Sequence, residues 1–150
     1  MPFSWTAAMT ESGSSDDFAT RAHALLEQKF APWVQELALT VESTAPIVLR
    51  LRCRPELSRI GGIVCGQAIM AAADTAMVLA ISEALGGFIE MSTVNMNTSF
   101  LAPLIDEDGL IGIQLTKVGK TMAFGEGRVT GVRSGKVCAQ TSLVYALKRP

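Results

Sequence analysis

The chain has 150 residues, of which 49% are hydrophobic, and a formal net charge of −1. That length suits one domain spanning residues 1–150, with a sizeable core. Lysines and arginines are scattered rather than clustered, which argues against an electrostatic nucleic-acid binder.

Cys53, Cys65 and Cys138 sit at no metal-ligand or redox spacing. With no secretory leader ahead of them, they read as reduced thiols in a cytoplasmic protein, and no metal site is expected. His23 is the only histidine, which narrows the available chemistry.

Residues 1–15 carry Ser, Thr and Gly without periodicity and read as a flexible tail. Ser14 or Ser15 suits a helix cap, with Asp16 and Asp17 in the first turn. Phe18, Ala22, Leu25, Leu26 and Phe30 then recur at helical spacing. Pro32 is expected to end this helix. His23 lies on it and reads as a surface residue. Residues 47–53 alternate, with Leu49, Leu51 and Cys53 on one face and Val48, Arg50 and Arg52 on the other, which predicts a half-buried strand.

From Gly66 to about Leu85 there is no further Gly and no Pro, and Ala dominates, so a long helix is predicted with Gly86-Gly87 as its stop. Residues 63–81 are apolar enough to resemble a membrane span. Asp74 at their centre argues against a bilayer and for a helix buried in a soluble core. Four strands are predicted next: 88–101, 110–118, 122–132 and 137–147. Arg133-Ser134-Gly135-Lys136 reads as a hairpin turn between the last two. Short turns between consecutive strands imply an antiparallel sheet, and such a sheet curled around one apolar helix is an α+β arrangement.

Three stretches resemble the hotdog-fold thioesterases, and within them the PaaI-like branch. The first is Cys65-Gly66-Gln67-Ala68-Ile69-Met70-Ala71-Ala72-Ala73-Asp74-Thr75-Ala76-Met77, similar to that branch's His-Gly-Gly helix start and Leu-Ala-Asp-Thr-Ala segment. The second runs from Thr93 to Pro103 and resembles a strand ending in Asn-x-x-Phe-Leu-x-Pro. The third is Lys117-Val118-Gly119-Lys120, similar to the family's third turn. Together they cover the chain from about Arg50 onward. Two positions depart from the pattern: Cys65 stands where the family usually has histidine, and Gln67 replaces its second glycine.

The resemblance implies a hotdog fold and hydrolysis of an acyl-CoA thioester, with CoA entering as part of the substrate and no separate cofactor. It also implies a homodimer, or a tetramer built of dimers, because in these enzymes the helix start and the carboxylate of one site come from different subunits. An acyl-CoA-binding module without catalysis is the alternative. A hotdog dehydratase resembles a His-plus-carboxylate site, and no histidine lies near the central helix here. Neither nucleic acid nor membrane is an expected partner.

The residues support a site in their own right. Thioester hydrolysis needs a group that stabilises negative charge on the carbonyl oxygen and one that activates water or attacks the carbonyl. The backbone N–H groups of Gly66 and Gln67, at the positive end of the helix, are candidate oxyanion donors. Asp74, about two turns on, is the only charged residue between Arg59 and Glu83. It is expected to share a face with Met70 and Met77. As base or nucleophile it is the candidate catalytic carboxylate; a helix cap or a hydrogen bond to a neighbouring strand would also account for it. Thr75 and Asn97 are candidates to reach the thioester or a water, or to satisfy backbone groups. Met70, Met77, Met91 and Met96 suit an acyl pocket or simply core. Cys65 is a candidate small residue beside the substrate carbonyl, with a nucleophilic thiol as the sharper alternative. Lys117, Lys120 and Arg128 are candidates for the CoA phosphates or solvated surface charges.

Overall fold

The computed structural model describes residues 15–150, and the expected tail and helix-cap side chains lie outside the described residues. Helix α1 (Ser15–Gln28) is followed by the short helix α2 (Pro32–Gln35) and the strands β1 (Thr40–Thr44) and β2 (Ile47–Leu51). A single 3-10 turn (Pro55–Leu57) leads into two short strands, β3 (Ser58–Arg59) and β4 (Ile63–Val64). Then come helix α3 (Gly66–Ala84) and the strands β5 (Glu90–Phe100), β6 (Gly109–Val118), β7 (Met122–Gly131) and β8 (Val137–Lys148).

Six strands form one sheet in the order β1-β2-β6-β7-β8-β5, and every pairing is antiparallel. The expected helix, strand, long helix and four strands are all present. β1 is an addition. It pairs with β2, but its residues are only partly buried and show no apolar alternation, so periodicity carries no signal for it.

α3 lies across one face of the sheet, and Leu49, Leu51, Ile111, Ile113, Leu143 and Tyr145 pack beneath it as fully buried side chains. The sheet makes room for it on β7. The inner row of that strand is Ala123, Gly125, Gly127 and Val129, all buried. A Cβ on Gly125 would stand 2.7 Å from the sulfur of Met77, and one on Gly127 would stand 2.6 Å from Ile113 Cδ1. The absent side chain at Gly125 leaves room for Met77 of α3, and that at Gly127 leaves room for Ile113 and Thr141, where interior packing has no spare volume. α1 packs over α3 and β1 and buries Phe18 and Ala22.

No described helix is long and apolar enough to cross a membrane.

Candidate active site

α3 buries most of its surface, and its less buried line runs through Gly66, Gln67, Met70, Ala71 and Asp74. Asp74 is therefore presented on the open side of a helix whose other faces are packed. Its Oδ1 accepts two hydrogen bonds from the sheet: one from Thr93 Oγ1 at 2.9 Å and one from the Tyr145 hydroxyl at 2.5 Å. Among the described residues nothing donates to Oδ2. The carboxylate is thus fixed by one oxygen and offers the other.

The two donors are sheet neighbours. Thr93 and Tyr145 face each other directly between β5 and β8. A bulge at Val94 makes this possible: pairing resumes with Asn95 opposite Val144. Without the extra residue, strict alternation would turn Thr93 away from the face that carries Met96 and Phe100. Strict alternation would group Thr93 with Asn95 and Asn97; the bulge brings it to the face of Met96 and Phe100 instead. Tyr145 lies on β8, and no local sequence pattern ties it to a helix residue 71 positions away. It is 2% exposed. Burial, reinforced by the carboxylate beside it, pushes its phenol well above the ordinary tyrosine range, so it remains a donor.

The start of α3 forms a second centre. Cys65 occupies the cap position with extended backbone and no side-chain cap hydrogen bond. Its own N–H goes to the Leu57 carbonyl at 2.8 Å, and the first helical bond runs from Ile69 N–H to Cys65 O at 3.3 Å. The N–H groups of Gly66, Gln67 and Ala68 therefore precede the hydrogen-bonded part of the helix and point outward from its positive end. The ring of Phe100 lies 3.1 Å from where a Gly66 Cβ would stand, so only glycine lets the ring close over this turn. A cavity of about 450 Å³ adjoins the turn, lined by Arg59, Val64, Gly66, Ile69, Phe100 and Leu101 among others.

The two centres lie eight residues apart on one helix, about 12 Å at 1.5 Å per residue. A single thioester carbonyl cannot touch both within one chain.

The other predicted site residues distribute as follows. Thr75 is buried and its hydroxyl donates to the Ala71 carbonyl at 2.7 Å, so it serves the helix backbone. Met77, expected on the face of Asp74, is fully buried against β7, while Met70 stays on the open line. Asn97 faces the opposite side of the sheet, in a polar groove with Ser99, Arg128 and Gln140. Lys117 and Lys120 are exposed at the β6–β7 turn. A cross-strand row of Thr93, Tyr145, Ala123 and Val118 runs from Asp74's partners toward that turn. Cys65 is partly buried against the core, and His23 is exposed on α1.

A further cavity, of about 270 Å³, opens beside Thr93 and Tyr145. Its lining includes Val78, one helical turn beyond Asp74, together with Phe30, Phe88 and Met91. Among the described residues no three His, Cys, Asp or Glu side chains gather as a metal site would require.

The fold is shared with known proteins. Residues 61–138 match the family model of the thioesterase superfamily. A Thermoplasma acidophilum protein provisionally named an esterase is 27% identical over 115 residues, covering 76% of this chain and 85% of that one. Zebra fish thioesterase superfamily member 2 superposes with a TM-score of 0.76 at 25% identity, covering 89% of this chain and 97% of its own. A protein of Silicibacter sp. TM1040, provisionally named a thioesterase, superposes with a TM-score of 0.78 at 25% identity, covering 87% and 92%. The E. coli PaaI protein of the phenylacetic acid degradation operon shares the fold, with a TM-score of 0.76 at 16% identity over 91% of this chain and 97% of that one.

Proposed function

The chain belongs to the thioesterase superfamily, and from that premise and the setting of Asp74 we propose that it hydrolyses an acyl-CoA thioester to the free acid and CoA. Membership places it among hydrolases of thioesters and esters; the acyl-CoA substrate and the roles of individual residues are our reading. The observation that carries it is the Asp74 carboxylate, held at Oδ1 by Thr93 and Tyr145 with Oδ2 unengaged, on the open line of an otherwise buried helix.

The chemistry follows from those parts. The thioester carbonyl oxygen sits against the N–H groups of Gly66 and Gln67, where the helix end favours the negative charge of the tetrahedral intermediate. Oδ2 of Asp74 takes a proton from water as the water oxygen bonds to the carbonyl carbon, or attacks that carbon itself and is released by water afterwards. The carbon–sulfur bond breaks, and the CoA thiolate leaves and is protonated. The acid carries the water oxygen.

The separation of about 12 Å between Gly66 and Asp74 favours a site assembled from two chains. β5 supports the same reading. It is an eleven-residue edge strand with Val94 56% and Phe100 51% exposed, an arrangement that monomers rarely leave uncovered. A homodimer, alone or paired into a tetramer, meets both requirements.

A panel of acyl-CoAs assayed by release of free thiol tests the proposal. Turnover of at least one of them is the expected result. Tight binding of acyl-CoA without thiol release would replace it with a binding module.

A further inference from the structure

The face of the sheet turned away from α3 carries a pattern that spans four strands. Strand register sets its residues in two rows across β6, β7, β8 and β5. One row is Gln114, Glu126, Ser142 and Asn97. The other is Gly112, Arg128, Gln140 and Ser99. The rows lie two residues, about 7 Å, apart along each strand. Between them runs the inward row of Ile113, Gly127, Thr141 and Thr98. A groove of about 280 Å³ is lined from both outer rows. Glu126 and Arg128 carry the only charges in these rows and stand exposed at neighbouring outward positions of β7. Among the described residues neither makes an ion pair.

The two rows are complementary to each other. Sheets stack face to face about 10 Å apart, with strand directions within about 30°. A two-fold axis between two such faces, lying along the Ile113-Gly127-Thr141-Thr98 row, exchanges the outer rows. Glu126 of each copy then meets Arg128 of the other, so the opposite charges pair twice. Gln140 meets Ser142, and Asn97 meets Ser99. Gln114 meets Gly112, which has no side chain. At each of these positions a longer side chain meets a shorter one or none. An axis along the strands would instead set Glu126 on Glu126 and Arg128 on Arg128, which like-charge repulsion disfavours.

We propose that this face is an interface between two copies of the chain, stacked back to back with β7 over β7 and joined at its centre by two reciprocal Glu126–Arg128 ion pairs. Such self-complementarity is what an isologous contact requires. Combined with a contact through β5 it gives a tetramer, and on its own a dimer; neither depends on the acyl-CoA reading.

Sedimentation of the full chain at micromolar concentration tests this, with Glu126→Arg, Arg128→Glu and the double exchange alongside the wild type. Each single variant sets like charges against each other twice, and its mass should fall to half that of the wild type. The double exchange brings opposite signs together again and should restore the full mass. An equal mixture of the two single variants should do the same, because each finds its complement in the other chain. Both positions are exposed, so the fold should persist, which circular dichroism checks. Single variants that keep the wild-type mass overturn the proposal and leave this face to solvent. A loss of mass that neither the double exchange nor the mixture restores overturns the pairing of Glu126 with Arg128, and the proposal with it.

Discussion

The Tyr145 hydroxyl reaches Asp74 at two points, the carboxylate Oδ1 at 2.5 Å and the backbone carbonyl at 3.1 Å. A strand is thereby fastened to both the side chain and the main chain of the residue on which the proposed chemistry depends. Asp74→Asn isolates that dependence. The amide keeps an oxygen for Thr93 and Tyr145 and matches the carboxylate in volume, so fold and assembly should persist. It loses the basic oxygen, and kcat should fall about a hundredfold or more. Thermal unfolding together with thiol release checks this. A purely structural Asp74 gives the reverse pattern, with lower stability and unchanged activity per folded molecule.

Tyr145→Phe removes the hydroxyl and leaves the ring. Asp74 then keeps only Thr93, its orientation loosens, and kcat/KM should drop about tenfold.

The same tyrosine gives the protein an alkaline signature. Its folded-state pKa is raised, first by burial and then by Asp74. Near pH 10 the unfolded chain therefore loses a proton that the folded chain keeps. The contribution is complete below the unfolded pKa and is lost as pH climbs above it toward the folded value. Tyr145 is the only tyrosine, so tyrosinate absorbance reports on it alone. Native protein should show no tyrosinate signal until it unfolds. An ordinary titration near pH 10 in folded protein would contradict the buried contact, and Tyr145→Phe should lose less stability than wild type across that range.

A site shared between chains makes a prediction about mixtures. Asp74→Asn destroys the carboxylate, and Gly66→Val drives a side chain into the Phe100 ring at the helix start. Each variant alone should be inactive. When the two are co-expressed, half the dimers are mixed, and each mixed dimer holds one intact site, so about a quarter of the sites should work. Activity no greater than that of the separate variants would place the whole site within one chain.

Lys117→Ala with Lys120→Ala should raise KM for acyl-CoA more than for a truncated thioester lacking the nucleotide. Equal effects on both substrates would remove these lysines from the phosphate contact.

Much of this architecture was readable from the chain because it rests on local rules. α3 announced itself through a run of Ala without Gly or Pro and the stop at Gly86, whose φ is +75°. β6, β7 and β8 followed from alternation and short turns. β1 did not, because Thr40–Thr44 is only half covered and carries no apolar stripe. At the site, Asp74 and the open first turn at Gly66 were legible as oddities, a charge and an uncapped end in an apolar helix. Their partners were not. Thr93 was hidden by the bulge at Val94, which shifts the phase of the strand, and Tyr145 by its distance along the chain. Asn97, a candidate to reach the thioester or a water, lies in the polar groove of the opposite face: alternation separates the faces of a strand but does not say which of them meets α3.

β7 meets α3 with Gly125 and Gly127 where other strands would have side chains. The side chain of Met77 on α3 therefore rests against peptide backbone, on a strand that contributes no atom to the carboxylate clamp. Met77, whose sulfur occupies the space beside Gly125, is three residues from Asp74. A single methyl group added at Gly125 would stand 2.7 Å from that sulfur and force Met77 to shift, like a shim under a bearing. An empty position on β7, two strands away from Thr93, thus seats the turn of α3 that carries Met77 and, three residues before it, Asp74.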